Sequence, residues 1–249
     1  TDPGYSATDA FEGGVTVTVS GQTVDANKTG EYVIIYDASD SLDNNATTAR
    51  VVTVEKEGIT MGAKAIDGYL VGATVIFDGD GDGSHDLVDT NQTDSTGQFE
   101  LNFTPAEVTS YDKDADGKIG AYEGIFILSG GVDSSTGAAF DGTLTALPGA
   151  EVVTPLTTLI ASLVQQGHDT TTAESLVATA FGIDEAVDLS TFDPLAAAAD
   201  GNPSAATVLA AGAQVMNVML QTAAVIDYAS SDNPSSATIS LSAADQLAS

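Results

Sequence analysis

Residues 112–123 read DKDADGKIGAYE. In this segment acidic side chains occupy positions 1, 3 and 5 (Asp112, Asp114, Asp116), glycine position 6 (Gly117), an apolar residue position 8 (Ile119) and glutamate position 12 (Glu123). Gly117 permits the sharp turn on which three carboxylates converge. Lys118, at position 7, offers only its main-chain carbonyl, and Glu123 can close the shell with both carboxylate oxygens. An all-oxygen donor set suits Ca2+, a hard cation that takes about six to eight oxygens, whereas zinc draws on nitrogen or sulfur.

The same grammar recurs upstream at residues 78–89, DGDGDGSHDLVD. Asp78, Asp80 and Asp82 take the first three side-chain positions, Gly83 the turn, and Ser84 the carbonyl position. Asp86 can ligate directly or through water. Asp89 stands where glutamate is usual, and its shorter side chain predicts a weaker or differently shaped site. Five carboxylates within so short a segment repel one another without a cation, which favours metal uptake and penalises the empty loop. The competing reading is a Gly/Asp turn at a hairpin tip.

The chain has 249 residues, long enough for two or three domains, and sets 36 acidic against 6 basic side chains for a formal charge of −30. Such a charge excludes nucleic acid as a partner and disfavours anionic membranes, leaving divalent cations as natural counterions. A hydrophobic content of 43% argues for a folded chain whose charge lies on the surface. With no cysteine, neither disulfides nor thiolate chemistry operates. Millimolar extracellular calcium would fill loops of modest affinity and resting cytosol would not, so an exported protein is expected. No signal-peptide pattern stands at Thr1, and the chain reads as part of something longer. The longest apolar stretch, Leu209 to Ile226, is interrupted by Gln214, Asn217 and Gln221 and reads as a buried helix, so no membrane insertion is expected.

Three regions follow: 1–57, 58–150 and 151–249. In the first, Val15–Val19, Glu31–Ser39 and Thr47–Glu55 alternate apolar and polar residues between Gly, Asn and Asp clusters, predicting a small antiparallel sandwich. In the second, Asp67–Asp78 predicts a strand running into the first acidic loop, with Thr96–Phe103 as its return partner. Thr104, Pro105 and Glu107 predict a capped helix over 104–111 entering the second loop, and Gly124–Gly131 a strand leaving it. Helix, loop, strand is not the helix pair of a calcium sensor. In the third, helices are expected from Thr154/Pro155 to Gln166, near Thr171–Phe181, and over Ser204–Ala229 as the centre of a bundle. Ala243–Ala248 is a further candidate helix.

The phrases DPGYSATDAFEGGVTVTVSG, TGEYVIIYDASDS and NNATTARVVTVE resemble the bacterial immunoglobulin-like repeats of large surface proteins. The phrases GYLVGATVIFDGDGDG and DSTGQFELNF resemble the prealbumin-like sandwich modules found in tandem in bacterial adhesins. That second resemblance implies a calcium role for Asp78, Asp80, Asp82, Asp86 and Asp89. VVTPLTTLI and TFDPLAAAA resemble segments that follow such modules. The fold class implied is multidomain β plus α: an Ig-like β-sandwich with its opening strands missing, a second β-sandwich module with EF-hand-like calcium loops, and a C-terminal helical bundle.

Other candidates carry less. His85 sits at loop position 8 and His168 follows Gly167, and without a cysteine or histidine pair most nucleophile and zinc arrangements are out of reach. The chain lacks tryptophan, a common sugar platform, and no cleft of unused carboxylates can be located, so no enzyme is expected. Met216 and Met219 read as core rather than as an adaptable groove. Asp37, Asp40 and Asp43 read as turn residues, or with Asp67 as a further calcium site between domains. Two calcium loops also resemble dockerins, but the loops start 34 residues apart (78 and 112), which limits that likeness to the loops. The function expected is a calcium-rigidified segment of a secreted or cell-surface adhesin-like protein, with neighbouring domains of a longer chain as partners. The alternative is a calcium-dependent glycan- or peptide-binding module.

Overall fold

The computed structural model describes residues 4–55, 57–87 and 91–229. They divide into two compact units, Thr1–Glu57 and Gly58–Ser249. The candidate helix at 243–248 lies outside the described residues.

The first unit is all β. A hairpin pairs β1 (Ala7–Asp9) with β2 (Gly13–Val15), and β3 (Val17–Gly21), β4 (Gly30–Ser39) and β5 (Asn45–Val54) form one antiparallel sheet with β4 central. The Val15–Val19 run expected as one strand is thus shared between β2 and β3. The ten β4–β5 pairs run without a bulge, so period-two alternation puts Tyr32, Ile34, Tyr36 and Ala38 on one face. Tyr36, the buried apolar side chain of this unit among the described residues, packs against Tyr5 at 5.2 Å and under the Arg50 guanidinium at 5.3 Å. The other face is open, with Val33 39% and Val51 57% exposed.

The second unit contains β6 (Ile59–Ala65), β7 (Leu70–Val71), β8 (Thr74–Asp78), β9 (Asn91–Gln92), β10 (Gln98–Phe103), α1 (Pro105–Tyr111), β11 (Ile125–Ser129), β12 (Val132–Asp133), β13 (Thr143–Ala146), β14 (Val152–Val153), α2 (Pro155–Gln165), α3 (Thr170–Phe181), α4 (Pro194–Ala199) and α5 (Ser204–Ala229). One sheet has the order β13-β11-β8-β9, another β10-β6-β14, and β12 pairs with β7. The return partner expected for β8 was β10. Instead β10 pairs along its whole length with β6, from Gln98↔Lys64 to Phe103↔Ile59, while β8 pairs with β11 and β9. β6 alternates, with Ile59, Met61, Ala63 and Ala65 toward the core and Thr60, Gly62 and Lys64 on the other face, but glycine, alanine and lysine are poor strand formers, which hid that strand in the sequence.

The two larger sheets enclose an aromatic core. Phe77 of β8 meets Phe103 of β10 edge-on at 5.0 Å, and Phe99 of β10 meets Phe126 of β11 at 5.6 Å. On β11, Phe126 and Leu128 face this core, while Ile125 and Ile127 belong to a second core shared with α2, α3 and α5. A strand covered on both faces reads as an unbroken apolar run, which accounts for IFIL.

The helices therefore lie on a sheet, and the boundary expected near residue 150 falls inside one compact unit. The bundle centre is also revised. All residues of α2 from Pro155 to Val164 are buried, whereas the described side chains of α5 bury the stripe Ala205, Val208, Ala211, Val215, Met216 and Met219 and expose Leu220. Met216 and Met219 are core residues. A clasp near the start of α4 ties helices to sheet: Asp193 caps α4 and accepts from Lys64 Nζ and from the Tyr69 hydroxyl, each at 3.0 Å.

Threonines join α2 to the sheet edge. Thr158 Oγ1 accepts the Thr145 amide of β13 at 2.9 Å and donates to the Thr154 carbonyl at 2.9 Å, while Thr157 Oγ1 donates to the Thr145 carbonyl at 2.9 Å. Hydroxyls thus stand in for a neighbouring strand at this buried stretch of β13, where an unpaired peptide group would be costly. Thr158→Val leaves the Thr145 amide unpaired and should lower stability by about 2 kcal/mol in urea unfolding. An unchanged urea midpoint would show that the hydroxyl contributes nothing.

Candidate metal centre

Both acidic loops sit at the same end of the β8–β11 pair. Loop one begins at Asp78, the last residue of β8, and Asp78 pairs with Ile125, two residues after loop two ends at Glu123. Loop two begins at the C-terminus of α1, where Asp112 is the C-cap and its amide bonds to the Val108 carbonyl. Thr104 and Glu107 form the capping box that starts this helix, fixing where the loop emerges.

The loops share a backbone plan. Position 4 is left-handed in both, Gly81 at φ +86° and Ala115 at φ +63°, as is position 6, Gly83 at +83° and Gly117 at +88°. Glycine reaches this region freely and a β-carbon makes it costly, so Ala115 is the strained member of the set. The carboxylates then form equivalent ladders. The first aspartate accepts the amide of position 6, Asp78 from Gly83 at 2.8 Å and Asp112 from Gly117 at 2.9 Å. The third residue accepts from the fifth, Asp80 from Asp82 and Asp114 from Asp116, both at 3.1 Å. The fifth accepts from the seventh, Asp82 from Ser84 at 2.7 Å and Asp116 from Lys118 at 2.8 Å.

Each loop is closed by one more carboxylate on the amide of position 2. In loop two this is Glu123, whose Oε1 accepts from Lys113 and, at 3.1 Å, from Asp114, while Oε2 accepts from Gly120 at 2.6 Å. In loop one the equivalent bond comes from Asp86, at position 9, to Gly79 at 2.7 Å. Asp89 lies outside the described residues.

Carboxylate oxygens of Asp78, Asp80 and Asp86 lie within 4.8 Å of one another, as do those of Asp112, Asp114 and Glu123. Those are the residues the fold brings together. Asp82 and Asp116 are turned onto the amides of Ser84 and Lys118 instead, and the Ser84 hydroxyl and amide hold the Asp82 carboxyl below its ordinary range. Ser84 and Lys118 are exposed at the loop tips. Asp78 is 3% and Glu123 6% exposed, and both are held by N–H groups with no lysine or arginine paired to them among the described residues. A buried carboxylate met only by amide dipoles is a costly arrangement that a cation would relieve.

Three contributors were not legible in the sequence. Tyr111 packs edge-on to Phe77 at 5.2 Å and donates its hydroxyl to the Asp86 carbonyl at 3.0 Å. A β-carbon on Gly79 would lie 2.3 Å from the Tyr111 ring, so position 2 of loop one admits only glycine. Lys113 Nζ donates to the Gly79 carbonyl at 3.3 Å. His85 points inward and its Nδ1 accepts the Phe77 amide at 3.1 Å.

Away from the loops, Asp40 accepts the amides of Leu42 and Asn44 within its own turn, and Asp37 accepts the Thr47 hydroxyl. Asp67 lies beside Asp133, and burial, reinforced by that neighbouring charge, pushes its carboxyl up to about 6. Because this lies above the ordinary 3.8, Asp67 takes up a proton on folding between those values, and its ionisation opposes the fold as pH rises through that window. Asp67→Asn should therefore stabilise the protein by about 1–2 kcal/mol at pH 7.5, after discounting for partial exposure, with the gain vanishing at pH 3.5. Equal gains at both pH values in thermal melts would contradict this.

Comparison with known families matches residues 1–54 to a bacterial surface protein, Ig-like domain. Comparison with curated proteins and with solved structures finds no match. The first unit is thus Ig-like, which supports a bacterial surface protein. No helix among the described residues is long and apolar enough to cross a membrane.

Proposed function

We propose that this chain is a calcium-binding segment of a large secreted or cell-surface bacterial adhesin-like protein, in which Ca2+ rigidifies the second unit and the role is mechanical rather than catalytic. The observation that carries the reading is the repeated ladder. Each of two separate stretches places carboxylates of positions 1 and 3 and a closing carboxylate around one point, on the same backbone plan, with Asp78 and Glu123 buried and, among the described residues, unpaired by any cationic side chain. Asp112, Asp114 and Glu123 would hold one ion and Asp78, Asp80 and Asp86 the other, with Asp116, Asp82 and the carbonyls of Lys118 and Ser84 completing the shells after the tips turn inward. A resident cation would neutralise the clusters and couple metal concentration to stability through mass action.

The Ig-like match of the first unit supports the surface setting, where calcium is abundant. The glycan- or peptide-binding alternative draws less support at the acidic loops, although open grooves of about 450 and 430 Å3 lie on the first unit. The cavity between loop one, Tyr122 and the end of α2 has a volume of about 190 Å3, below the range of about 300–1,000 Å3 usual for ligand pockets.

Calorimetric titration with CaCl2 should give two ions per chain, and Glu123→Gln should reduce this to one. Saturating calcium at 100 times Kd should raise stability by about 2.7 kcal/mol per site relative to chelator. Wild-type protein that takes up no calcium, with melting unmoved by chelator, would end the proposal.

A further inference from the structure

The two loops are not independent. Tyr111 and Lys113 flank Asp112, the first carboxylate of loop two, yet both reach into loop one. Tyr111 donates to the Asp86 carbonyl at 3.0 Å and Lys113 Nζ to the Gly79 carbonyl at 3.3 Å. Asp86 and Gly79 are the two residues whose mutual bond, at 2.7 Å, closes loop one. The Lys113 amide in turn donates to Glu123, which closes loop two. One tripeptide, Tyr111-Asp112-Lys113, therefore grips the closure of both loops.

Resting on the calcium reading above, we infer that the loops form one cooperative unit, in which filling loop two pre-organises loop one through Tyr111 and Lys113. Fixing Asp112 and Glu123 around an ion fixes the main chain at 111–113 and orients the Tyr111 hydroxyl and the Lys113 ammonium. Those groups hold Gly79 and Asp86 at their bonded separation, so the ion entering loop one no longer bears the ordering cost of that closure. The ring of Tyr111 is already seated on Phe77 and against Gly79, so the hydroxyl has little freedom to relax away. By linkage the effect is reciprocal, and coupling of this kind typically changes affinity about 5- to 150-fold.

Tyr111 and Lys113 are positioning residues, and the test must separate coupling from plain destabilisation. Chelator-buffered calcium titrations of the whole chain would measure loop-one affinity in wild type, in Glu123→Gln, in Tyr111→Phe/Lys113→Met, and in all three changes combined. Tyr111→Phe keeps the ring on Phe77, and melting curves in chelator report whether the fold is kept. Glu123→Gln should weaken loop one at least about 5-fold in the native background. In the Tyr111→Phe/Lys113→Met background it should leave loop one within about twofold, while both sites still fill when Glu123 is present. Two sites that fill independently in wild type, or the same loss from Glu123→Gln in both backgrounds, would overturn the coupling and leave the calcium reading standing. No calcium uptake by wild type would overturn both.

Discussion

Each acidic loop is folded around the carboxylate of its first aspartate. Asp78 and Asp112 reach across their own turns to the amides of Gly83 and Gly117, and everything else in the loops is arranged by that crossing bond. It sets the left-handed residues at positions 4 and 6 and lines up the following aspartates. It also holds one carboxylate oxygen of each acid toward its neighbours. The amides supply partial positive charge, which offsets part of the repulsion among the acids, but dipoles do not neutralise net charge. The reading of these loops as cation sites follows from that imbalance.

The scaffold serves to keep the two crossings side by side. β11 is buried on both faces, by the aromatic core on one and by α2, α3 and α5 on the other, so the strand leaving loop two is immobilised where it pairs with the strand entering loop one. α2 is locked by Thr157 and Thr158 to β13, the next strand along. The Tyr122 hydroxyl, within loop two, accepts the Thr170 amide that opens α3 at 3.1 Å. The helices thus bear on the loops through the sheet and also directly, which gives the C-terminal third a physical role that its sequence does not advertise.

The loops were readable because their chemistry is local: spacing, turn glycines and side-chain type all lie within a short window. Helix ends were readable for the same reason, Thr104-Pro105 and Thr154-Pro155 being signals of sequence neighbours. Strand partners were not. β6 alternates but is built largely of Gly62, Ala63, Lys64 and Ala65, residues with little strand preference, and its match to β10 depends on Phe99, Leu101 and Phe103 finding the same core from about forty residues away. The burial of α2 rather than α5 was hidden because both are apolar, and α2 is the one roofed by further helices. The closing role of Asp86 was hidden because position 9 is usually read as subordinate to position 12. Tyr111 and Lys113 were missed because their partners lie in the other loop.

The central claim is that a divalent ion converts two amide-held turns into rigid structure. Hydrogen exchange at the Gly83 and Gly117 amides, measured in CaCl2 and again in chelator, tests it most directly, since those protons sit on the crossing bonds themselves. Calcium should slow both amides by at least about tenfold, a protection of about 1.4 kcal/mol, while the amides of β4 in the first unit keep their rates. Equal exchange at Gly83 and Gly117 with and without calcium would contradict the account.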